Sequence, residues 1–281
     1  MNDIVADIDT YLSLLLNAKV SPITVLSSFF LIFFRIIPSM VLAPFFGAKT
    51  VTGPIRIMFA ISIVAIFLPG NVLGATQEIP FDLTFIFLCI KELLIGFTLG
   101  FLVTIPFYVA QGSGSLIDHI RGSSSLQVSD PTTQSQTGPV GLLYNYVLIT
   151  IFFFIGGPFI YFDGIAKSFQ LIPIEGIINP SFFSLNVPFW GTIIGLINQI
   201  LALAIQLGAP SIIGILMAEM FLGIANRLAP QAQIVFLGIS LKSWVGLGLL
   251  ATAWYFILNQ LGKETLNWLY FIEKTINHLA P

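Results

Sequence analysis

The sequence predicts an all-α integral membrane protein built as a single domain over residues 1–281. The composition carries this prediction. Hydrophobic residues make up 56% of the 281 residues and charged residues only 9%, whereas a soluble domain carries about 25% charged residues. A soluble fold of this length could not bury so much apolar surface in one core. The chain shows neither the alternation of membrane strands nor a repeat of solenoid length, so we expect helices.

Six apolar runs account for the main helices. Each run meets or exceeds the ~20 residues that an α-helix needs to cross the hydrocarbon core of a bilayer. The runs cover residues 22–47, 55–76, 83–110, 138–160, 189–219 and 232–262. We therefore expect about six long helices packed as hairpins and kinked where proline interrupts them. The prolines inside the runs include Pro38, Pro44, Pro106, Pro158 and Pro210.

An amphipathic helix is predicted at each end of the chain. Near the N-terminus, apolar residues recur at helical spacing, and Asp3 and Asp7 lie near the positive end of the helix dipole. That apolar face comprises Ile4, Val5, Ile8, Tyr11, Leu12, Leu15 and Leu16. Near the C-terminus, residues 264–279 carry a second stripe of helical spacing. It comprises Trp268, Leu269, Ile272, Ile276 and Leu279.

Two polar stretches connect the apolar runs. Residues 111–137 are rich in Gly, Ser, Thr and Gln, and we expect a loop here because Gly112 and Gly114 permit tight backbone bends. On its residues alone, this stretch is most simply a solvated connector between two spans. Residues 161–188 form an amphipathic, proline-rich connector that proline breaks into a loop with extended pieces.

Charged residues stand where lipid would disfavour them. Arg35, Lys91, Glu92, Glu219 and Lys242 all lie within or at the end of apolar runs, and a charge at the bilayer centre costs about 2.5–3.5 kcal/mol. Lys91 and Glu92 are adjacent on one helix and point in different directions, so we expect them not to pair with each other. Such residues face either the interior of a helical bundle or other subunits, and the sequence leaves both open.

The residues that carry chemistry are too few for a catalytic or metal site. The chain has one cysteine, Cys89, and two histidines, His119 and His278, and no carboxylates are spaced to complete a zinc site. Asp118 and His119 precede several serines, but the nucleophile-elbow motif is missing. The net charge of −2 offers no basic face to nucleic acid. We expect no enzyme, cofactor, metal or nucleic-acid partner. A six-helix small-solute transporter or channel remains an alternative, because the buried charges could line a substrate path.

Four segments together resemble one known family. They read RIIPSMVLAPFFGAK (35–49), KELLIGFTLGFLVTIPF (91–107), AQGSGSLIDHIRG (110–122) and EMFLGIANRLAPQAQIVFLGISLKS (219–243). In combination they resemble the SctT/FliR family, an export-apparatus subunit of type III secretion systems. The similarity runs from the first apolar run through the sixth. The PFFGAK string and the Ser-Leu-Lys-Ser ending at Ser243 are more similar to the injectisome (SctT) branch than to the flagellar (FliR) branch.

The resemblance implies a non-enzymatic role in protein secretion. One copy of such a chain closes a helical assembly of R-type (SctR/FliP-like) and S-type (SctS/FliQ-like) subunits into an export gate. The gate lies in the bacterial inner membrane at the centre of the basal body. Further expected partners are the U-type switch subunit, unfolded secretion substrates in transit and membrane lipid. In that assembly, much of the apolar sequence packs against partner subunits and leaves the bilayer plane.

The resemblance also implies roles for two sets of residues. The first set forms a plug loop in the channel, with Asp118 and Arg121 facing water: Gln111, Gly112, Ser113, Gly114, Ser115, Leu116, Ile117, Asp118, His119, Ile120, Arg121 and Gly122. The second set makes buried or inter-subunit contacts, with Lys91 and Glu92 pairing across a subunit boundary: Arg35, Lys91, Glu92, Glu219, Asn226, Arg227, Pro230, Gln231 and Lys242.

Overall fold

The computed structural model describes residues 21–46, 51–74, 79–122, 128–129, 136–176, 188–228 and 234–277. Within these ranges the chain forms seven α-helices, one short 3-10 turn and one two-stranded ladder. The elements are α1 (Pro22–Leu42), the 3-10 turn (Pro44–Phe46), α2 (Gly53–Gly74), α3 (Leu83–Ile120), β1 (Val128–Ser129), β2 (Gln136–Thr137), α4 (Pro139–Phe154), α5 (Gly157–Leu171), α6 (Pro188–Leu228) and α7 (Ile234–Asn277). The predicted all-α class is confirmed.

The predicted number of membrane helices is also confirmed. Among the described residues, α1, α2, α3, α6 and α7 are each long and apolar enough to cross a membrane. The sixth candidate is a bent pair, in which α4 and α5 meet at 73°. The bend lies at Gly156, whose φ of 75° is accessible to glycine at little cost. The run 138–160, predicted as one helix, is therefore two, because Gly156 ends one helix and Pro158 begins the next.

Helix α3 lies at the centre of the fold. It packs against α1, α4 and α6, and its small residues let α1 approach closely. A Cβ added at Gly96 would lie 2.2 Å from the carbonyl oxygen of Arg35, and one at Gly100 would lie 2.7 Å from the Cα of Ser39. The backbones of α1 and α3 are therefore in direct contact, and no larger residue fits at Gly96 without moving α1.

The 3-10 turn supplies aromatic side chains to the core. The Phe45 ring stacks on Phe152 of α4 at 4.4 Å between centroids and lies edge-on to Tyr161 of α5 at 5.4 Å. Phe107 of α3 contacts both Phe45 and Phe152 at 5.9 and 5.5 Å. Aromatic pairs in these arrangements contribute about 0.5–1.5 kcal/mol each beyond their buried area. Part of the phenylalanine content of the chain thus joins α1, α3, α4 and α5.

The ends of the chain differ from the prediction in one respect. The C-terminal amphipathic stripe is not a separate helix, because α7 runs unbroken for 44 residues from Ile234 to Asn277. No proline interrupts that stretch, and Trp268 and Leu269 bury the start of the stripe against the bundle. The predicted N-terminal helix over residues 4–16 lies outside the described residues.

Pro106, inside α3, explains one long-range contact of α7. Proline has no N–H, so the carbonyl oxygen of Leu102, four residues earlier in α3, loses its helical donor. The indole Nε1–H of Trp268 donates to that oxygen at 3.0 Å. The carbonyl that hydrocarbon could not satisfy is therefore satisfied within the chain.

Candidate functional site

The first candidate site is a buried ion pair between α1 and α3. Arg35 and Glu92 have no exposed side-chain surface. The guanidinium donates two hydrogen bonds to the carboxylate, from Nε to Oε2 and from Nη2 to Oε1, the second at 2.8 Å. Bidentate pairs of this kind are among the stronger and more directional hydrogen bonds in proteins. The close backbone approach at Gly96, one turn beyond Glu92, brings the two side chains within reach.

The other guanidinium donors of Arg35 reach the end of α5. Nη1 donates to Ser168 Oγ at 3.2 Å, and Nη2 donates to the carbonyl oxygen of Ile172 at 2.8 Å. The guanidinium carbon also lies 4.2 Å from the ring centroid of Phe169, a cation–π contact. Arg35 thus joins α1, α3 and α5 through a single side chain.

Lys91 completes this charged cluster. Its ammonium lies 2.8 Å from Glu92 Oε1. It also donates to the carbonyl oxygens of Pro173, Ile174 and Gly176 at 2.9, 2.9 and 2.8 Å. These carbonyls follow the end of α5, where no helical N–H can reach them. The cluster therefore satisfies the carbonyls of the turn after α5, of which Ile174 is buried, as well as a buried charge.

Two predictions about Lys91 and Glu92 are wrong. The adjacent residues do pair with each other, because the flexible lysine stem brings its ammonium back to the carboxylate that Arg35 already holds. The contacts described for both residues also lie within this chain, which leaves 7% of the Lys91 side chain and none of the Glu92 side chain exposed to a partner subunit. For Arg35, Lys91 and Glu92, the bundle-interior interpretation is the correct one.

The second candidate site is the segment predicted as a plug loop. Gln111 to Ile120 are helical and form the last turns of α3, so the predicted loop is wrong for these residues. Glycine and serine favour loops in isolation, but tertiary packing overrides that preference. A Cβ added at Gly114 would lie 2.5 Å from the Cα of Gly141 in α4, so glycine at both positions allows the two helices to touch. The helix ends at Ile120, and Gly122, two residues later, has a φ of 85°.

Most of this segment is covered. The burial differs along it as follows: Gln111, Ser113, Gly114, Ile117, Asp118 and Arg121 are buried, Gly112, Ser115 and Ile120 are partly buried, and Leu116, His119 and Gly122 are exposed. The prediction that Asp118 and Arg121 face water is wrong, because they are only 2% and 7% exposed. The exposed side of the helix end is a narrow strip.

Asp118 caps a helix that is distant in sequence. Helix α4 begins after Gly138, which has no side chain to accept from the first free N–H groups. Asp118 Oδ2 accepts from the backbone N–H of Val140 at 2.9 Å and of Gly141 at 3.2 Å. Arg121 holds the other oxygen, Oδ1, from Nε at 2.9 Å and from Nη2 at 2.5 Å.

The short ladder β1–β2 lies next to this contact. Val128 pairs with Thr137 and Ser129 with Gln136 in antiparallel register. The hydroxyls of Ser115 and Thr137 are 2.7 Å apart, which links the end of α3 to β2 directly. Residues 123–127 and 130–135 of the polar stretch lie outside the described ranges. The described part of the stretch is thus tied to α3 and not solvated throughout.

The third candidate site is an ion pair on the surface of the α6–α7 hairpin. Lys242 Nζ donates to Glu219 Oε1 at 2.5 Å, and the Glu219 side chain is 52% exposed. The residues around Glu219 on α6 are large, apolar and exposed: Leu216, Met217, Met220 and Phe221. Asn226 and Arg227, near the end of α6, are also exposed. Pro230 and Gln231 lie outside the described residues.

The described residues bring together no set of three or more His, Cys, Asp or Glu side chains that could hold a metal ion. Two roles of the candidate residues are not among the predictions. One is the capping of α4 by Asp118, which the Gly-Pro start of that helix could have suggested, since such a start has no capping side chain. The other is the binding of the Ile172 to Gly176 carbonyls by Arg35 and Lys91, for which we find no signal in the sequence.

Comparison with known proteins gives consistent similarities. Residues 26–267 match the family described as bacterial export proteins, family 1. The chain is 34% identical over 155 residues to Yop proteins translocation protein T of Yersinia pestis, covering 54% of this chain and 57% of that relative. It is 28% identical over 222 residues to flagellar biosynthetic protein FliR of Bacillus subtilis, covering 79% and 84%. It is 25% identical over 212 residues to surface presentation of antigens protein SpaR of Shigella flexneri, covering 75% and 79%.

Proposed function

The chain belongs to the SctT/FliR family of type III export-apparatus proteins, the bacterial export proteins of family 1, and from this membership we propose that it is one subunit of a protein-export gate. One copy closes a helical assembly of R-type and S-type subunits (SctR/FliP-like and SctS/FliQ-like). Members of this family are structural components of the apparatus and not known enzymes. The proposed role is accordingly to build and close a conduit.

The surface of the α6–α7 hairpin carries this proposal. The most apolar stretches of α6 and α7 are only 28% and 17% buried within the chain. Yet the same surface holds the half-exposed Glu219 carboxylate and its Lys242 partner. Lipid disfavours such charges, whereas a partner subunit can offer hydrogen-bond donors and apolar side chains together. A covering polypeptide suits this face better than acyl chains do.

The lengths of three helices support the same conclusion. Helices α3, α6 and α7 contain 38, 41 and 44 residues. At the rise of an α-helix they would be roughly 57–66 Å long, about twice the ~30 Å of a hydrocarbon core. Part of each helix must then lie outside the hydrocarbon or cross it at a steep tilt. Packing against partner subunits that extend out of the bilayer accounts for the excess length.

We assign channel closure to the end of α3, from Gln111 to Gly122. The exposed residues of this end are Leu116, His119 and Gly122, which would face the conduit. The plug proposed here differs from a loose loop, because its base is a helix held by Asp118 and by the Ser115–Thr137 contact. Opening would then move a structured element, and the passing unfolded substrate would displace it.

The proposed setting is the bacterial inner membrane, at the centre of the basal body. The U-type switch subunit, secretion substrates in transit and lipid are the remaining proposed partners. Relatives from virulence systems and from flagella both match the chain. We place it in the injectisome branch because of its PFFGAK and Ser-Leu-Lys-Ser segments.

A small-solute transporter is the alternative function. It would need unpaired polar groups along a path, but Arg35, Lys91 and Glu92 are occupied by one another and by the turn after α5. Native mass measurement separates the two functions. Co-expressed with R- and S-type subunits and gently extracted, the chain should appear once in a large hetero-oligomer. A monomer or homo-oligomer under those conditions, with the two partners assembled without it, would contradict the proposal.

A further inference from the structure

We propose that Asp118 is the positioning residue that keeps the proposed export conduit closed at rest. This inference rests on the proposed function, since it assigns a role within the plug element. Asp118 is buried and does not reach the conduit itself; it acts on the exposed residues Leu116 and His119 of the same helix end. The carboxylate does so by tying the end of α3 to the start of α4.

The Asp118 carboxylate makes two kinds of interaction, hydrogen bonds from the backbone of α4 and an ion pair with Arg121. Oδ2 accepts from two backbone N–H groups of α4, Val140 at 2.9 Å and Gly141 at 3.2 Å. A negative charge is favourable at this position because the N-terminal end of a helix carries a partial positive charge. Oδ1 is held by Arg121, which lies 7% exposed beside it. Both oxygens of the side chain are therefore occupied as acceptors, and an amide in its place would lose one of the two sets of contacts.

Glycine at position 138 leaves the space that the Asp118 carboxylate occupies. A Cβ added at Gly138 would lie 2.0 Å from Asp118 Oδ2, so any larger residue would push the carboxylate away from α4. The residue that would ordinarily cap α4 with its own side chain is thus replaced by glycine, and the cap comes from 22 residues earlier. The arrangement makes the cap of α4 conditional on the position of α3.

Small residues make the closest approaches between these helix ends. Gly114 meets Gly141, and Ser115 meets Thr137 through hydroxyls 2.7 Å apart. Ile117 is the one large apolar side chain fully buried between Gly112 and Gly122. Asp118 supplies the charge-assisted hydrogen bonds between the two helix ends, so the end of α3 should leave α4 more often without them. Loss of charge at Asp118 should therefore open the conduit without dismantling the bundle.

The test uses the assembled complex of this chain with its R- and S-type subunits, in phosphatidylethanolamine–phosphatidylglycerol vesicles loaded with potassium ions. Asp118→Asn keeps the shape of the side chain but removes the charge and one acceptor. We expect potassium release at rest to rise about tenfold, as for the loss of one charge-assisted hydrogen bond. Asp82→Asn is the matched control, since Asp82 caps the start of α3 through the Leu83 N–H at an exposed position. The control should release potassium at the original rate.

A cross-link tests whether the increased potassium release comes from movement of the end of α3 away from α4 and not from a general loss of stability. The variant Ser115→Cys with Thr137→Cys, in a Cys89→Ser background, places two thiols where the hydroxyls now meet. Oxidation to a disulfide should return potassium release in Asp118→Asn to the original rate, and reduction should raise it again. A variant that only loosened the fold would not respond to the redox state in this way.

Each result decides for or against the inference. Unchanged potassium release from correctly assembled Asp118→Asn overturns it, and so does increased release that the disulfide leaves unaltered. If Asp118→Asn does not assemble, Arg121→Gln decides, because it leaves both backbone hydrogen bonds of Asp118 in place and should give a smaller increase. No increase there overturns the inference too. The native mass of the same samples reports assembly separately, so failure of the proposed function would appear as a missing hetero-oligomer and not as a closed one.

Discussion

Arg35 and Glu92 form a bidentate ion pair across the α1–α3 interface, and neither side chain has any exposed surface. Lys91 adds a second buried cation to the same carboxylate. One buried anion therefore compensates two cations, and backbone carbonyls accept their remaining protons. The carboxylate of Glu92 is the group that contacts both cations.

Replacing Glu92 should destabilise the chain itself. In Glu92→Gln, Arg35 would stay buried without its anion, and breaking a buried pair in this way costs about 3–5 kcal/mol. The rate of maleimide labelling of Cys89, the single cysteine, reports unfolding in detergent as temperature rises. We expect a clearly lower transition temperature and less chain in the membrane.

The matched control for this change is Asp163→Asn. Asp163 and Lys167 form an exposed pair one turn apart on α5, with side chains 59% and 30% exposed. Such pairs contribute about 0.3–0.5 kcal/mol, so the control should unfold near the original temperature. Equal transition temperatures for the two variants would contradict the assigned role of the buried cluster.

Replacing Lys91 should act locally on the turn after α5. Lys91→Met keeps much of the side-chain volume but removes the lysine donor from the carbonyls of Pro173, Ile174 and Gly176, of which Pro173 keeps the Gly176 N–H at 3.1 Å. Each unsatisfied buried group costs about 1–3 kcal/mol. We expect faster hydrogen exchange and proteolysis around Ile172 to Gly176, with α1 and α3 little affected.

The control is Lys167→Met on the exposed side of α5, which should leave that turn unchanged. Uniform acceleration of exchange throughout the bundle in Lys91→Met would contradict a local role, and unchanged exchange at the turn would contradict any role in holding it.

Replacing Trp268 should leave the Leu102 carbonyl, which has no helical donor because of Pro106, without a hydrogen bond. Trp268→Phe removes the indole donor from the Leu102 carbonyl oxygen and should destabilise the chain by about 1–3 kcal/mol in the labelling assay. Trp244→Phe is the control, because Trp244 is 81% exposed. It should have little effect.

A second change can restore the missing donor. Pro106→Ala supplies a backbone N–H that can donate to Leu102 in the ordinary helical pattern. In that background, Trp268→Phe should cost much less than it does alone. Additive effects of the two substitutions would show that the indole and the proline are not coupled through this carbonyl.

The difference between the predicted and observed structure has a physical cause. The long helices are predictable because the length of an apolar run reflects the thickness of the hydrocarbon core. The helical state of Gln111 to Ile120 is not predictable, because glycine and serine have low helix propensity. The contact between Gly114 and Gly141 that stabilises this segment joins residues 27 positions apart in the chain. The Lys91–Glu92 contact is likewise missed by spacing rules, since Arg35 and the turn after α5 decide where those side chains lie.

Replacing Glu219 on the surface of the α6–α7 hairpin should affect assembly with partner subunits and not the stability of the chain. Glu219 is half exposed and contacts Lys242, so Glu219→Gln should change the stability of the chain by at most about 1 kcal/mol. If a partner subunit covers this face, the loss of charge should weaken its binding by a larger amount, since charges buried at an interface are worth about 2–5 kcal/mol when one member is removed. Co-purification of R- and S-type subunits with the variant should therefore fall about tenfold or more, while Cys89 labelling stays as in the original chain.

Asp163→Asn again serves as the control, because it removes an exposed carboxylate from α5 and leaves the α6–α7 face intact. Undiminished co-purification of both partners with Glu219→Gln would mean that this face is not where they bind.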